Sequence, residues 1–265
     1  MKNNIKLLLF SVIFVIGRIS AQQVTLKKLG TDNMFFRSGY PVTLNGAIYT
    51  LDYTSALYKT DLSTGAHSRV GNVTYGARFF FGVNYKLYTI EGDGRMDVID
   101  PATGAWSVIA SMGSWSTIEK VVVVQNSLYA IENGAFYQYP TINPRNRKQI
   151  GESDFYEVGM LIWGDSTLLS LQKDGTLYEI NTGIGSWKKI SKAKDWKYCK
   201  AGTVLNNKLY TFENKATLYE TSLADGTKRL LDATQFKDGG LLFEDKGKLF
   251  TITAEGNLYE ISVNG

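Results

Sequence analysis

The sequence predicts an all-β fold, a six-bladed β-propeller, and three observations predict it. An apolar residue pair recurs six times at a spacing of about 40 residues. Each recurrence sits among short alternating strands and tight turns, and the final unit lacks one strand that the N-terminal segment can supply.

The recurring pairs are Ile48-Tyr49, Leu87-Tyr88, Leu128-Tyr129, Leu168-Leu169, Leu209-Tyr210 and Leu249-Phe250. Their steps are 39, 41, 40, 41 and 40 residues. After each pair and a polar turn comes a second series: "SALYKTD", "GRMDVID", "GAFYQYP", "GTLYEIN", "ATLYETS" and "GNLYEIS". Both series alternate apolar and polar residues with period two, the pattern of a half-buried strand. The turns between them, such as "EGDG", "ENG", "QKDG" and "AEG", break strands and favour hairpins.

A further turn ("STG", "PATG", "NPRN", "NTGIG", "ADG") leads to a mixed strand: "HSRV", "WSVI", "RKQI", "WKKI" or "KRLL". An apolar strand then opens the next unit, as in "RFFFG", "KVVVV", "GMLIW", "AGTVL" and "GLLFE". Four strands per period, with apolar inner and mixed outer members, is the pattern of propeller blades. No helical periodicity of useful length interrupts it.

The ends of the repeat account for ring closure. The last unit stops after "NLYEIS", while a stray strand, "VTLKKLG" (Val24 to Gly30), precedes the first inner strand "YPVTL". Pairing the stray strand with the last unit closes the ring and removes an exposed sheet edge. The expected organisation is a signal peptide over residues 1–21 and one propeller domain over residues 22–265.

The signal peptide is read from Lys2 and Lys6, the apolar run Leu7 to Gly17, and Ile19-Ser20-Ala21 before Gln22. Arg18 interrupts the apolar run, which is too short to span a bilayer, and no later stretch is apolar enough to do so. The expected location is therefore the periplasm or the outside of a bacterial cell. Losing Lys2, Lys6 and Arg18 leaves 26 basic side chains against 25 acidic ones, so the pI of 8.9 gives no argument for nucleic-acid binding. Cys199 is the only cysteine, so no internal disulfide forms, and it reads as a small buried apolar residue. His67 is the only histidine, which removes two-histidine metal sites and weighs against a Ser-His-Asp triad. No cofactor and no metal is expected.

Two loop families fall on one face of the predicted ring. In the loops that join one blade to the next, an aromatic residue follows the last apolar residue of the strand by five or six positions: Phe35, Tyr75, Trp115, Phe155, Trp196 and Phe236. One reading makes each ring a wedge that seals neighbouring blades. The other makes some of them platforms on which a pyranose stacks. In the second family the residue after the second strand is Asp52, Glu91, Glu132, Gln172, Glu213 or Thr253. These are either solvated turn residues or acceptors for ligand hydroxyls.

Units of the form "LYTI…DGxLYxI…TGxWxxI……W" resemble the repeats of tachylectin-2-like and tectonin-type β-propeller lectins. The resemblance runs from Gln22 to Gly265, although this chain has six units, shorter than those of the five-bladed animal lectin. It implies shallow glycan sites at blades or blade junctions, with Trp115 and Trp196 first among the matching positions, then Tyr75, Phe155, Phe236 and Phe35. The expected function is a secreted, non-catalytic carbohydrate-binding propeller, with a protein-interaction scaffold as the alternative. The expected partner is accordingly a glycan or a surface protein. A propeller hydrolase or lactonase would need converging carboxylates around a metal, or an arginine cluster with a tyrosine nucleophile. The inner-strand ends show neither set, and fold alone is no evidence for activity.

Overall fold

The structure is a computed structural model that describes residues 23–35, 39–140, 142–191, 194–214, 217–233, 235–236 and 240–264. The expected signal peptide lies outside these residues. The first strand is β1 (Gln23–Leu29). Blade 1 contains β2 (Gly39–Leu44), β3 (Ala47–Leu51), β4 (Ala56–Asp61) and β5 (His67–Thr74). Blade 2 contains β6 (Ala77–Val83), β7 (Lys86–Glu91), β8 (Met96–Ile99) and β9 (Trp106–Ala110). Blade 3 contains β10 (Ile118–Val124), β11 (Ser127–Glu132), β12 (Ala135–Tyr139) and β13 (Lys148–Gln149).

Blade 4 contains β14 (Val158–Gly164), β15 (Thr167–Gln172), β16 (Leu177–Ile180) and β17 (Trp187–Lys189). Blade 5 contains β18 (Cys199–Leu205), β19 (Lys208–Glu213), β20 (Thr217–Ser222) and β21 (Lys228–Asp232). Blade 6 contains β22 (Leu241–Asp245), β23 (Lys248–Ile252) and β24 (Leu258–Asn264), and β1 completes it as the outer strand. The result is six four-stranded antiparallel sheets, the predicted six-bladed β-propeller.

Closure follows the predicted route. β1 pairs antiparallel with β24 from Gln23↔Asn264 through Leu26↔Ile261 to Leu29↔Leu258. Val24 and Leu29 are buried, so the strand is packed as well as paired.

Six hydrophobic clusters make up the core, and each combines residues from two neighbouring blades. This follows from the alternation of each strand: one set of side chains faces the preceding blade and the other faces the next. Each cluster also contains one of the six loop aromatics: Phe35, Tyr75, Trp115, Phe155, Trp196 or Phe236. Near the axis, glycine brings inner strands together. A Cβ at Gly164 would lie 2.8 Å from the Val204 backbone oxygen of the next blade.

Candidate functional site

Five of the six loop aromatics bind the turn between the second and third strands of the preceding blade. Their backbone N–H groups donate to a carbonyl there: Phe35 to Gly256 at 2.9 Å, Tyr75 to Ser55 at 2.9 Å, Trp115 to Gly94 at 2.9 Å, Phe155 to Gly134 at 2.9 Å and Trp196 to Gly175 at 3.2 Å. The two loop families therefore share one face, as the connectivity predicts. Four of these turns accept the cover through a glycine with a left-handed backbone and no Cβ, and the fifth through Ser55 at φ 65°. At Gly175 (φ +90°) a Cβ would run into the Lys197 backbone.

The rings then cross to the following blade. Phe35 meets His67 at 5.1 Å, Trp115 meets Tyr139 at 4.7 Å and Phe155 meets Trp187 at 4.3 Å between centroids. The Tyr75 hydroxyl donates to the Gly104 carbonyl, and Lys228 Nζ lies 5.1 Å over the Trp196 ring. Phe236 differs, packing against Phe212 of the preceding blade at 4.9 Å.

This placement corrects the stacking-platform reading of these residues. Trp115 and Trp196 are each 1 % exposed and the other four rings are equally buried, so none offers a free face to a sugar. They are the wedges of the alternative reading.

The acceptors predicted from the second loop family divide by their partners. Asp52 organises its own turn, accepting from the Thr54 N–H, the Thr54 hydroxyl at 2.7 Å and the Ala56 N–H. Glu132 is buried and pairs with Arg147, and it also accepts from Thr117 at 3.2 Å. Glu213 is buried and pairs with Lys228 at 2.6 Å. Glu132 and Glu213 are thus buried and ion-paired within the fold, which corrects their reading as free acceptors for a ligand, while Asp52 spends one carboxylate oxygen on its own turn. Glu91 is buried too, and it has no such ion pair.

A cleft with a volume of about 460 Å³ lies on the same face at the junction of blades 3 and 4. The loop between those blades contributes Asp154 and Glu157, the β15–β16 turn contributes Gln172, Asp174 and Thr176, and Tyr178 and Trp187 form the aromatic wall. Trp187 is half-buried and firmly placed. Its Nε1–H donates to Asp154 Oδ2 at 3.0 Å, and its ring rests on Phe155 and against the edge of Tyr178. Asp174 accepts from Lys194 at 2.7 Å and from the Thr176 N–H, which together hold its carboxyl down to about 2 and keep it ionised.

Trp187 belongs to the "TGxWxxI" segment of the repeat, yet it is absent from the predicted site residues. The signal that finds it is register. Trp187 pairs with Ile180 at the start of the outer strand, where other blades carry Trp106, His67 and Lys228. Among these four blades the position thus holds two tryptophans, a histidine and a lysine.

Elsewhere, the Cys199 thiol is pushed up to about 12, chiefly by burial. His67 is held below the ordinary imidazole range by burial and stacks on Tyr58 at 4.7 Å. Among the described residues, no group of three or more His, Cys, Asp or Glu is placed to hold a metal ion. No helix among them is long and apolar enough to cross a membrane.

Fold and cleft together define a propeller with a ligand-sized recess at a blade junction. No protein-family model and no curated protein sequence matches the chain. Solved structures match it in fold. A Bacteroides thetaiotaomicron structural-genomics protein of unknown function has TM-score 0.65 at 14 % identity, over 92 % of this chain and 76 % of that one. A luciferin-regenerating enzyme has TM-score 0.64 at 11 % identity, over 92 % and 97 %. PorZ of Porphyromonas gingivalis, a surface component of the type-IX secretion system, has TM-score 0.53 at 11 % identity. The chain covers 88 % of itself and only 33 % of PorZ in that match. At these identities the likeness is one of fold.

Proposed function

We propose that this protein is an exported, non-catalytic carbohydrate-binding propeller that takes a saccharide in the cleft between blades 3 and 4. The observation that carries the reading is the half-exposed Trp187 indole, pinned by Asp154 among Glu157, Asp174 and Gln172. An indole face gives the apolar C–H side of a pyranose a surface, and carboxylates and amides accept its hydroxyl protons. The cleft volume suits one or two sugar units. The resemblance to lectin propellers supports the same class of ligand at a blade junction, on Trp187 instead of the wedge positions.

A glycan array with wild type and Trp187→Ala tests this. The expected result is a defined set of bound glycans that the variant loses without a large drop in melting temperature. A blank array from folded wild type, or turnover of a bound saccharide, overturns the reading.

A second reading, a protein-docking face, is favoured by Met112, Tyr156 and Tyr198, all exposed in the interblade loops. A soluble multivalent glycan competes for the partner in the first reading and not in the second.

A further inference from the structure

Among the equivalent carboxylates of the blades, Glu91 has no ion pair of its own among the described residues. Glu91, Glu132 and Glu213 occupy the same place at the end of the second strand, paired with Ala77, Ile118 and Cys199 of their inner strands. Glu132 receives the Arg147 guanidinium from the residue just before β13, and Glu213 the Lys228 ammonium from the first residue of β21. Each of those cations also lies over the third-strand tyrosine of its blade, Arg147 over Tyr137 at 4.5 Å and Lys228 over Tyr219 at 4.4 Å.

Blade 2 departs at every one of these positions. Its outer strand begins with Trp106, which is 42 % exposed and brings no charge. Its third strand carries Asp97 opposite Thr89, where Tyr178 stands opposite Ser170 and Tyr219 opposite Thr211. The loop residue that leads into the blade is Gly76, where Thr117 supplies Glu132 with a hydroxyl.

Glu91 is 6 % exposed with Oε1 unpartnered, and Asp97 is 1 % exposed with Oδ1 unpartnered. Arg95 bonds Asp97 Oδ2 at 3.0 Å, so two buried carboxylates share one cation. A buried carboxylate without a counter-ion is costly, and an arriving cation relieves that cost. The Gly92 N–H donates to the Gly76 carbonyl at 3.2 Å beside the carboxylate. Gly76 and Gly92 are exposed beside Glu91, and a Cβ at Gly92 would meet nothing within 4 Å.

We propose that the junction of blades 1 and 2 binds the ammonium or guanidinium group of a ligand on Glu91, in the place that Arg147 and Lys228 fill in blades 3 and 5. Asp97 supplies a second acceptor, Arg95 holds it in position, and Gly76 and Gly92 form the entrance. The site is separate from the saccharide cleft at the junction of blades 3 and 4.

Amide NMR of the folded protein tests it at constant ionic strength. Titration with n-butylammonium or n-butylguanidinium is expected to shift the Gly76 and Gly92 signals saturably, with n-butanol inert. Glucosamine and Nα-acetyl-lysine methylamide then compare sugar and peptide sources of the cation, and the tighter of the two names the source. Glu91→Gln should abolish the shifts. Trp106→Arg should abolish them as well, by supplying an internal cation while Glu91 stays in place, so a poorly folded Glu91 variant does not decide the matter. In thermal melts Glu91→Gln should equal or exceed wild type, whereas Glu132→Gln, which orphans Arg147, should melt lower. Wild-type signals that do not move, or shifts retained in both variants, would overturn the proposal.

Discussion

The Phe155 and Trp187 rings lie 4.3 Å apart across the junction of blades 3 and 4, inclined at 34°. Phe155 is fully buried and tied by its backbone to the Gly134 turn, while Trp187 is half-exposed at the cleft. One ring thus seals the blades and supports the other, which faces solvent. The aromatics that stabilise the ring and the aromatic that offers a binding surface are different residues in contact.

The wedge role predicts an asymmetry between two substitutions of Trp196. Trp196→Ala should cost about 3–5 kcal/mol, the range for removing a large buried ring. Trp196→Phe should cost less than about 1.5 kcal/mol. The indole Nε1 is buried without an acceptor, and three other junctions use phenylalanine. Urea unfolding of both variants measures the difference, and equal losses would count against a role in packing alone.

Glycine placement predicts a second contrast. Gly175→Ala forces a side chain onto φ +90° and into the Lys197 backbone, and should cost at least about 1–3 kcal/mol. Gly92→Ala, whose Cβ would meet open space, should stay within about 0.5 kcal/mol of wild type. A destabilised Gly92 variant would show that the turn is more crowded than its geometry indicates.

Ring closure depends on β1. Removing residues 23–29 exposes the whole of β24 as an edge and uncovers part of the blade 5/6 cluster. The truncated protein should melt at lower temperature, with a broader transition, and should aggregate at concentrations where the full domain is monodisperse. Unchanged melting and scattering would contradict closure by this strand.

The acid side of the stability curve carries the signature of blade 2. Burial raises the Glu91 carboxyl above its ordinary 4.5, with Asp97 adding to the rise against the pull of Thr89 and Arg95. A carboxyl raised in the folded state binds its proton more tightly there than in the unfolded chain. Stability therefore grows as pH falls through the raised value towards 4.5. Asp61, Asp100 and Asp174 act oppositely. Their carboxyls are held at about 2, so their contribution is present above the ordinary 3.8 and fades as pH falls towards 2. Denaturant midpoints should rise from neutral to mildly acidic pH and then fall, and Glu91→Gln should flatten the rise. A wild-type midpoint that falls steadily from pH 7 would contradict this balance.

Architecture was legible because a propeller repeats one physical problem six times. Apolar pairs such as Leu128-Tyr129 and glycine turns such as "QKDG" recur wherever a half-buried strand must end, so their spacing reports the blades directly. The loop aromatics were legible as positions. Their role was not, since a large ring suits a blade seam and a sugar platform equally well and only burial separates the two. Trp187 reads in the sequence as an outer-strand residue after a turn, because its partner Asp154 lies 33 residues away, in the loop before the blade. The isolation of Glu91 was hidden for a similar reason: its state depends on what stands at Gly76, Asp97 and Trp106, three positions that only the strand register aligns.

Buried wedges and one half-buried platform are different tryptophans, and the five indole N–H signals read that separation directly. The measurement is a ¹H–¹⁵N titration with the strongest oligosaccharide from the array, each indole signal being assigned by single Trp→Phe variants. The Trp187 indole signal should shift saturably while those of Trp115 and Trp196 stay in place. Shifts at Trp115 or Trp196 with Trp187 unmoved would contradict it.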